Sequence, residues 1–474
     1  MTIYKILGIL LIIFFLVLIM YIIIWGTSLP TFTFQKLMLV LIPIFIAIIW
    51  FMGLINPLHF SVFSILLMLP LIGIGLPPRR LGISTFDIFA VLVLFSIIYC
   101  KLFKNENIKI FLNSFTIIPI ICLLPSFLTT IDFGHTFYIF VKILGYYIFY
   151  VALIYFLNNS KNALLKINFL LMLTLWIISC FIFLEKIWGI KLSFTGLNLN
   201  ALSYVDGLQI RRAAGLFQDP QKVAQFIGCF FVYFIVLLVR GYFNSFKTKF
   251  LVIVTLFISF IALIWTVSRL ALVSTILGSL FAILVLNKFD FLKKLITVCI
   301  FFVLIVLFSS LYHFKDILPL YIQKRFERVE NSMQGRLNIW KDSWKIFKAP
   351  SLTGIGLGNY QNFLVQKDPY YKKLKERGEY VPNQPENGYL KILYEAGIIG
   401  ILGGLYFTIG ILYYTYYNLF KTPKEEPKTI TLATLMGFFV FFSTFLTLYT
   451  ISDARNALIP VLLFSFLSSR GIKG

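Results

Sequence analysis

The sequence predicts an all-α fold, a polytopic membrane helix bundle of about 12–14 transmembrane helices with one long outer loop containing short helices. Of the 474 residues, 59% are hydrophobic and only 13% are charged, and the mean hydropathy is +0.91. A soluble domain of this length cannot bury so much apolar surface. Apolar runs of about 18 or more residues recur along the chain, and each can cross a bilayer as a helix. Because these runs are continuous rather than alternating, they favour helices over the strands of a barrel.

The predicted spans form a single integral membrane domain, residues 1–474, with two outer segments of substance. The shorter outer segment covers residues 187–222, and the long outer loop covers residues 312–385. No internal repeat is visible, which argues against a transporter built from duplicated halves. The spans are expected at 3–24, 36–55, 58–76, 86–100, 110–129, 136–157, 165–185, 223–239, 250–267, 270–287, 294–311, 386–412, 430–450 and 456–469.

Lysines and arginines set the expected orientation, because cytoplasmic connectors carry an excess of them. With both termini inside, the inner segments hold 17 Lys and Arg residues and the short outer loops hold 9. The long outer loop carries 13 basic against 7 acidic residues, but loops longer than about 60 residues escape this rule. We therefore attribute the net charge of +23 to membrane connectors and a basic outer surface, and we expect no nucleic-acid partner.

Motifs for nucleotide, metal or hydrolase chemistry are absent from the sequence. It contains no Asp-x-Asp pair, Walker loop, His-Glu-x-x-His or Gly-x-Ser-x-Gly elbow. The three histidines are scattered, and the five cysteines lie within apolar runs or at their ends. We therefore expect no metal, no cofactor and no disulfide framework.

Arginines stand out on the expected outer side. Arg211 and Arg212 close the shorter outer segment just before a span. Arg269 lies between two spans with almost no loop, and Arg336 begins a predicted helix. Arginine presents a planar fork of donors that matches phosphate oxygens, although each of these residues could equally anchor a helix end to lipid headgroups. Arg269 calls for a partner or a water-filled cavity, because it is wedged between apolar spans.

Within the long loop, residues 336–348 have the pattern of an amphipathic helix ended by Pro350. The apolar face, with Trp340 and Trp344, suits either the membrane interface or a small core of the loop itself. Residues 354–358 follow as Gly-Ile-Gly-Leu-Gly, which lacks the spacing of a dinucleotide fingerprint. We expect a flexible turn there rather than a phosphate cradle.

A polar stretch lies where the long loop re-enters the membrane. Pro385 is expected in the first helical turn with Asn383 as its cap, so that Glu386 and Asn387 stand at the outer mouth of the span. A first-turn carboxylate complements the helix dipole. The dipole should lower its pKa, so burial must offset that effect if the carboxylate is to serve as a base. Glu386 is thus either a helix-start residue or a group with a chemical role.

Five motifs, taken in order, resemble the O-antigen ligase and O-antigen polymerase group. They are R-R-A-A-G-L-F-Q-D-P, the S-R between spans, G-R-L-N-I-W, P-S-L-T-G-I-G-L-G-N and P-E-N-G-Y-L-K-I-L-Y-E-A-G-I-I-G, and they fall within residues 205–410. The resemblance implies a metal-independent inverting glycosyltransferase of the bacterial cytoplasmic (inner) membrane, with its active site on the periplasmic side. Its donor would be undecaprenyl-diphosphate-linked oligosaccharide, and membrane lipid and a chain-length regulator would be further partners.

The resemblance also suggests roles for individual residues. The ligases of this group place a histidine just before the asparagine that opens the span after the long loop, and here that position holds Glu386. This departure favours a polymerase of O-antigen, capsule or exopolysaccharide repeat units, with Glu386 as the base that activates the acceptor hydroxyl. The catalytic set is Glu386, Arg269 and Arg336, and the substrate-binding set is Arg211, Arg212, Asn387 and Tyr389.

Two other functions remain open on the sequence. A ligase would move finished glycan to a lipid or protein acceptor, whereas a flippase would only transport the lipid-linked repeat. A flippase should carry basic residues through the middle of several spans. Lys142 and Lys391 are the only lysines well inside the expected spans, and Glu395, one turn from Lys391, is its expected ion-pair partner.

Overall fold

The computed structural model confirms a polytopic helical membrane fold. It describes residues 56–72, 84–103, 113–188, 202–205, 208–217, 219–286, 336–341, 343–345, 351–379, 381–449, 451 and 453–471. Within these ranges, seven helices are long and apolar enough to cross a membrane. The spans expected at 3–24, 36–55 and 294–311 lie outside the described residues, as do residues 312–335 of the long loop.

The helices are α1 (Pro57–Leu67), α2 (Thr85–Phe103), α3 (Ser114–Ile121), α4 (Phe133–Asn159), α5 (Ala163–Trp188), α6 (Pro220–Val239), α7 (Phe246–Thr266), α8 (Arg269–Phe281), α9 (Tyr360–Lys367), α10 (Pro369–Glu376), α11 (Gly388–Tyr416), α12 (Glu425–Phe445) and α13 (Ala454–Gly471). Short π-helical segments, Ala282–Leu286 and Tyr417–Lys421, continue α8 and α11. Two strands, β1 (Leu202–Val205) and β2 (Leu208–Arg211), form an antiparallel hairpin.

Two local features differ from the predicted pattern. The continuous span expected at 110–129 is broken into α3 and a 3₁₀ turn at Leu124–Phe127, because Pro119 and Pro125 interrupt the helical hydrogen bonds. The shorter outer segment contains the β1–β2 hairpin, which the all-α prediction did not include. The hairpin ends at Arg211, the first residue of the Arg-Arg motif.

Side-chain caps explain where several helices begin. Asp219 accepts a hydrogen bond from the amide of Gln221 and is followed by Pro220, which suits the first turn of α6. Asp132 caps α4 in the same way through the amide of His135. These caps satisfy amides that would otherwise be unpaired where a helix meets the membrane surface.

Helix α6 forms the centre of the bundle, since every residue from Val223 to Leu237 is buried. It packs against α7, α8, α12 and α13, while α4 packs against α2 and α13. The outward faces of α2, α4 and α11 carry exposed large apolar side chains such as Phe95, Phe137 and Leu405, as expected for surfaces in contact with lipid.

One end of the bundle, called the site end here, collects the starts of α6, α8, α11 and α13 and the ends of α5, α7 and α12. Hydrogen bonds between these termini show the arrangement: the amide of Ala213 donates to the carbonyl of Trp265, and Arg455 donates to the carbonyl of Leu216. At the opposite end, Arg240 pairs with Glu425 at 3.1 Å. The alternation of neighbouring helices agrees with the predicted topology.

The described part of the long loop contains the expected short helices and a small core of its own. Five side chains form this core: Tyr360, Leu364, Tyr371, Val381 and Tyr394. Because Tyr394 belongs to α11, the core also attaches the loop to the membrane bundle.

A break in α11 provides the main attachment of the loop. The backbone of Gly397 leaves helical geometry, at φ 71° and ψ −166°. The break frees carbonyls and amides that cannot remain unpaired in an apolar setting. The 351–356 segment supplies their partners through four hydrogen bonds, from Ile355 to Tyr394, Gly356 to Glu395, Ile398 to Ser351 and Ile399 to Leu352, at 3.0–3.2 Å.

The glycines of this junction are required by contact as well as by conformation. A β-carbon on Gly397 would collide with the carbonyl of Leu352, and one on Gly354 would collide with the carbonyl of Glu395. The Gly-Ile-Gly-Leu-Gly sequence is therefore a tightly packed docking segment. The predicted turn is present at residues 357–358. Its predicted flexibility is wrong, because the preceding residues are hydrogen-bonded to α11 on both sides of Gly397.

We expect Gly397→Ala to loosen the loop. A left-handed backbone costs a non-glycine residue about 1–3 kcal/mol, and the added methyl group also meets the Leu352 carbonyl. Gly404→Ala on the same helix is the matched control, because a β-carbon there has no other heavy atom within 4 Å. The measurement is thermal unfolding in detergent together with tryptic cleavage of the loop. Equal unfolding temperatures and equal cleavage in both variants would contradict the docking role.

Candidate functional site

The Arg-Arg motif ends in a loop that is fixed on several sides. The buried carboxylate of Glu185, near the end of α5, accepts hydrogen bonds from the amides of Ala214 and Gly215 at 2.9 and 2.8 Å. The amide of Ala213 donates to the end of α7. Residues 212–217 therefore have a defined path between the hairpin and α6.

Arg455, at the start of α13, holds the same loop from the other side. Its guanidinium is 2% exposed, donates to the carbonyl of Leu216 at 2.7 Å and lies 4.1 Å from the ring centroid of Phe217. It also pairs with both oxygens of Asp453, and Lys222 lies 3.7 Å from the same carboxylate. Burial alone would disfavour the carboxylate, but Arg455 and Lys222 outweigh this and hold the pKa of Asp453 well below its usual range.

The structure brings Arg212 to the turn that carries Arg269. Arg212 Nε donates to the carbonyl of Thr266 at 3.2 Å, and α8 begins at Arg269 after this turn. Val267 between them adopts a left-handed backbone, with φ 56°. This conformation is rare for a β-branched residue and stores strain of about 1–3 kcal/mol. The Arg269 side chain is exposed at the site end.

Glu386 has an unusual backbone directly before α11. The helix begins at Gly388, and Asn387 caps it by accepting from the amides of Tyr389 and Leu390. The predicted cap, Asn383, is therefore wrong by four residues, and Pro385 lies before the helix rather than in its first turn. Glu386 lies outside the helix in a left-handed conformation with φ 51°. Among the described non-glycine residues, only Asn162, Val267 and Glu386 have positive φ. Glu386 is itself a candidate site residue, and Val267 lies in the turn before another, Arg269.

The net effect of its surroundings is to raise the pKa of Glu386, as expected if burial offsets the helix dipole. Burial raises the pKa of Glu386, Arg336 and a hydrogen bond with Gln384 oppose this rise, and the negative charge of Asp219 adds to it. The carboxyl stands before the helix and is half-buried, so burial rather than the helix dipole decides the direction. Glu386 thus lies within electrostatic range of Arg336 from the long loop and of Asp219, the cap of α6.

The helical turns within residues 336–345 have one face that packs on the core of the loop and one face that is exposed. Ser343 is buried and hydrogen-bonded to the hydroxyl of Tyr360. Leu337 and Trp344, at 37% and 52% exposure, lie on the opposite face with Lys341. Both alternatives left open by the sequence are consistent with this helix, since its inner face packs on the loop and its outer face suits the membrane interface.

Residues 254–405 match the family model described as O-antigen ligase. The matched stretch is about a third of the chain, and it is similar to that family. The match supports the O-antigen ligase/polymerase family and, with it, a glycan-processing enzyme of a family that acts on lipid-linked glycans. A search of curated proteins found no match.

The region that matches this family model covers Arg269, Arg336 and Glu386, together with Asn387 and Tyr389. Arg211 and Arg212 precede it. The structure places Glu386 within electrostatic range of Arg336, and it places Arg212 at the turn before Arg269. Arg211 is described only through its backbone, as the last residue of β2.

The two predicted substrate-binding residues of α11 have structural contacts. The side-chain oxygen of Asn387 is used in capping the helix. The hydroxyl of Tyr389 donates to the carbonyl of Phe442 at 3.0 Å, and its ring packs against Phe445. Their contact with substrate stays a prediction.

The ion pair expected between Lys391 and Glu395, within the matched region, is confirmed. Lys391 Nζ lies 3.5 Å from Glu395 Oε1, and both side chains are buried. Lys391 also donates to the carbonyl of Asn383 and lies 4.4 Å from the ring centroid of Tyr449. The pair holds the segment that precedes Glu386 against α11.

Sequence reasoning missed the residues that position the site from a distance. Glu185, Asp453 and Arg455 were not singled out, although a charged residue inside or beside an apolar span is a signal for a specific partner. Among the described residues, no three His, Cys, Asp or Glu side chains are grouped so that they could hold a metal ion.

Proposed function

We propose that this protein polymerises undecaprenyl-diphosphate-linked oligosaccharide repeat units, as an inverting glycosyltransferase of the bacterial cytoplasmic membrane. The site end faces the periplasmic side in this proposal, consistent with 17 basic residues on the inner segments against 9 on the short outer loops. The observation that carries the proposal is Glu386: a half-buried carboxyl with a raised pKa, in a strained backbone, within electrostatic reach of Arg336.

The chemistry follows from charge and proton balance. A hydroxyl of the acceptor sugar attacks the anomeric carbon of the donor, the new C–O bond forms, and the bond to the diphosphate breaks. Glu386 takes the hydroxyl proton, because a carboxylate with a raised pKa is a better base than an ordinary one. Attack from the face opposite the diphosphate inverts the anomeric centre.

The leaving diphosphate needs fixed positive charge. Arg336 is the candidate nearest to the base, and Arg269 and Arg212 form a second group at the end of α7. A preorganised guanidinium stabilises charge that develops in the transition state and gives two parallel hydrogen bonds to phosphate oxygens. Arg211 and the α11 residues Asn387 and Tyr389 are proposed to contact the diphosphate or the glycan.

A ligase is the second candidate, favoured by the description of the matched family model as O-antigen ligase. Polymerase is preferred because Glu386 occupies the position where the ligases of the group, as the sequence resemblance has it, place histidine. The products distinguish the two. A polymerase forms a ladder of chain lengths on the carrier lipid, whereas a ligase transfers finished glycan to another acceptor.

We expect Glu386→Gln to bind lipid-linked donor normally but to lose turnover on the order of 10²–10⁴-fold, because a carboxamide of the same shape cannot take the proton. Glu386→Asp should retain part of the activity. Glu376→Gln, an exposed carboxyl of the same loop, is the control and should behave as wild type. Turnover of purified protein on lipid-linked repeat units is measured with donor binding in parallel. Near-normal turnover of Glu386→Gln would contradict a catalytic role and would limit Glu386 to a structural role before α11.

Replacing Arg336 or Arg269 by alanine should reduce turnover on the order of 10²–10³-fold, the usual effect of removing one preorganised charge stabiliser. Lysine should restore little activity, because it lacks the planar two-pronged donor geometry. Arg377→Ala is the control, since this loop arginine is 69% exposed and pairs only with exposed Glu379 in the described residues. If the variants express normally and polymerise at the wild-type rate, these arginines only anchor helix ends to lipid headgroups.

A further inference from the structure

Lys142 is a charged residue of a membrane span that the proposed reaction does not use. It lies nine residues after the start of α4, about 13 Å along the helix axis. Its side chain is only half-buried, next to the outward face of α4. A lysine at this depth is unfavourable without a partner or a water-filled cavity, so its presence needs a physical reason.

The surroundings of Lys142 are polar and come from several helices. The ammonium lies 5.7 Å from the ring centroid of Tyr138. Four other charged groups, which with Lys142 form the Lys142 cluster, are within electrostatic reach of it: Asp87 at the start of α2, Lys222 at the start of α6, and Asp453 and Arg455 at the start of α13.

The two carboxylates of the cluster already have partners. Asp453 is paired with Arg455 at 2.8 Å and with Lys222 at 3.7 Å. Asp87 accepts from the amide and hydroxyl of Ser84 and from the hydroxyl of Tyr138, at 2.6, 2.9 and 3.2 Å. Neither forms a salt bridge with Lys142 in the part of the chain that the structure describes. Among the described residues, the three cations and two carboxylates of the cluster leave one positive charge without compensation.

An apolar surface adjoins this uncompensated charge. Phe133, Phe137 and Val141 follow one another at helical spacing on the outward face of α4 and are 62%, 52% and 46% exposed. A single anionic group next to a lipid-facing apolar stripe suits a lipid with a phosphate head. It does not suit a free sugar, which would find no polar partner along the stripe.

We infer that Lys142 binds the phosphate of a second lipid-linked substrate, the acceptor, at a place separate from Glu386 and Arg336. The inference rests on the proposed polymerase function. Polymerisation brings two lipid-linked diphosphates to one enzyme: the donor diphosphate departs, while the acceptor diphosphate stays attached to its glycan. Two such anions repel each other, so each needs its own positive group. In this reading the acceptor lipid chain lies along the stripe of α4.

The same chemistry could come from an ordinary membrane phospholipid. Lysines inside a span extend their ammonium towards the headgroup region, and a bulk lipid phosphate would then be the partner. The two sources differ in selectivity. A carrier-lipid site should prefer undecaprenyl diphosphate over phosphatidylglycerol, whereas an anchor for bulk lipid should not discriminate.

Native mass spectrometry of the full chain can count bound undecaprenyl diphosphate with phosphatidylglycerol present in excess. Wild type should bind two molecules. Lys142→Met and Arg336→Ala should each bind one, and the double variant should bind none. The affinity of the lost site should fall on the order of 10–100-fold, the effect of removing a charge-assisted hydrogen bond. Lys166→Met, an exposed lysine of α5, is the control and should keep both molecules. Lys142→Arg should keep both as well.

A wild-type stoichiometry of one overturns the inference, and this result does not depend on any variant folding. Displacement of the Lys142-dependent molecule by phosphatidylglycerol overturns it too, since the residue is then an anchor for bulk lipid. Two bound molecules of carrier lipid in a protein that transfers no sugar would support the site while removing the proposed polymerase function.

Discussion

The pairing of Arg455 with Asp453 is the interaction on which the site end depends. One guanidinium binds both oxygens of Asp453, the carbonyl of Leu216 and the face of the Phe217 ring, and it is 2% exposed. Removing one partner of such a buried pair costs about 3–5 kcal/mol, because the other charge remains buried and unpaired. Lysine cannot replace it, since only the planar guanidinium reaches three acceptors while stacking on a ring. The start of α13 is thereby fixed to the loop that leads into α6 and ends at Asp219.

Backbone strain marks the two places where candidate residues lie. Val267 and Glu386 both adopt left-handed conformations, one in the turn before Arg269 and the other directly before α11. Such strain persists only where surrounding contacts determine the backbone, and here they do. Arg212 holds the first turn through the carbonyl of Thr266, and Lys391 holds the segment before Glu386 through the carbonyl of Asn383. The break at Gly397 then lets the long loop dock and bring Arg336 within reach of the carboxyl.

Much of the fold could be predicted from the sequence because long apolar runs allow few structures in a bilayer. The ion pair of Lys391 with Glu395 was also predictable, since both residues lie one helical turn apart. The partners of Arg455 and Glu185 were not, because they come from distant parts of the chain and leave no local pattern. The helix dipole and burial were expected to act on the pKa of Glu386 in opposite directions, and which of the two prevails depends on tertiary packing, including the position of Asp219.

The central claim is that Glu386 acts as the base in an environment tuned by Asp219 and Arg336. The pH dependence of kcat/KM at low ionic strength tests it most directly, comparing wild type with Asp219→Asn. Asparagine caps a helix as well as aspartate does, so the substitution removes the charge and keeps the start of α6. A base must be deprotonated to act, so if Glu386 is the base, activity should fall as the pH drops through its pKa, which Asp219 raises. Asp219→Asn should therefore move the acid limb of the profile to lower pH, and an acid limb that stays in place or moves to higher pH would contradict the account.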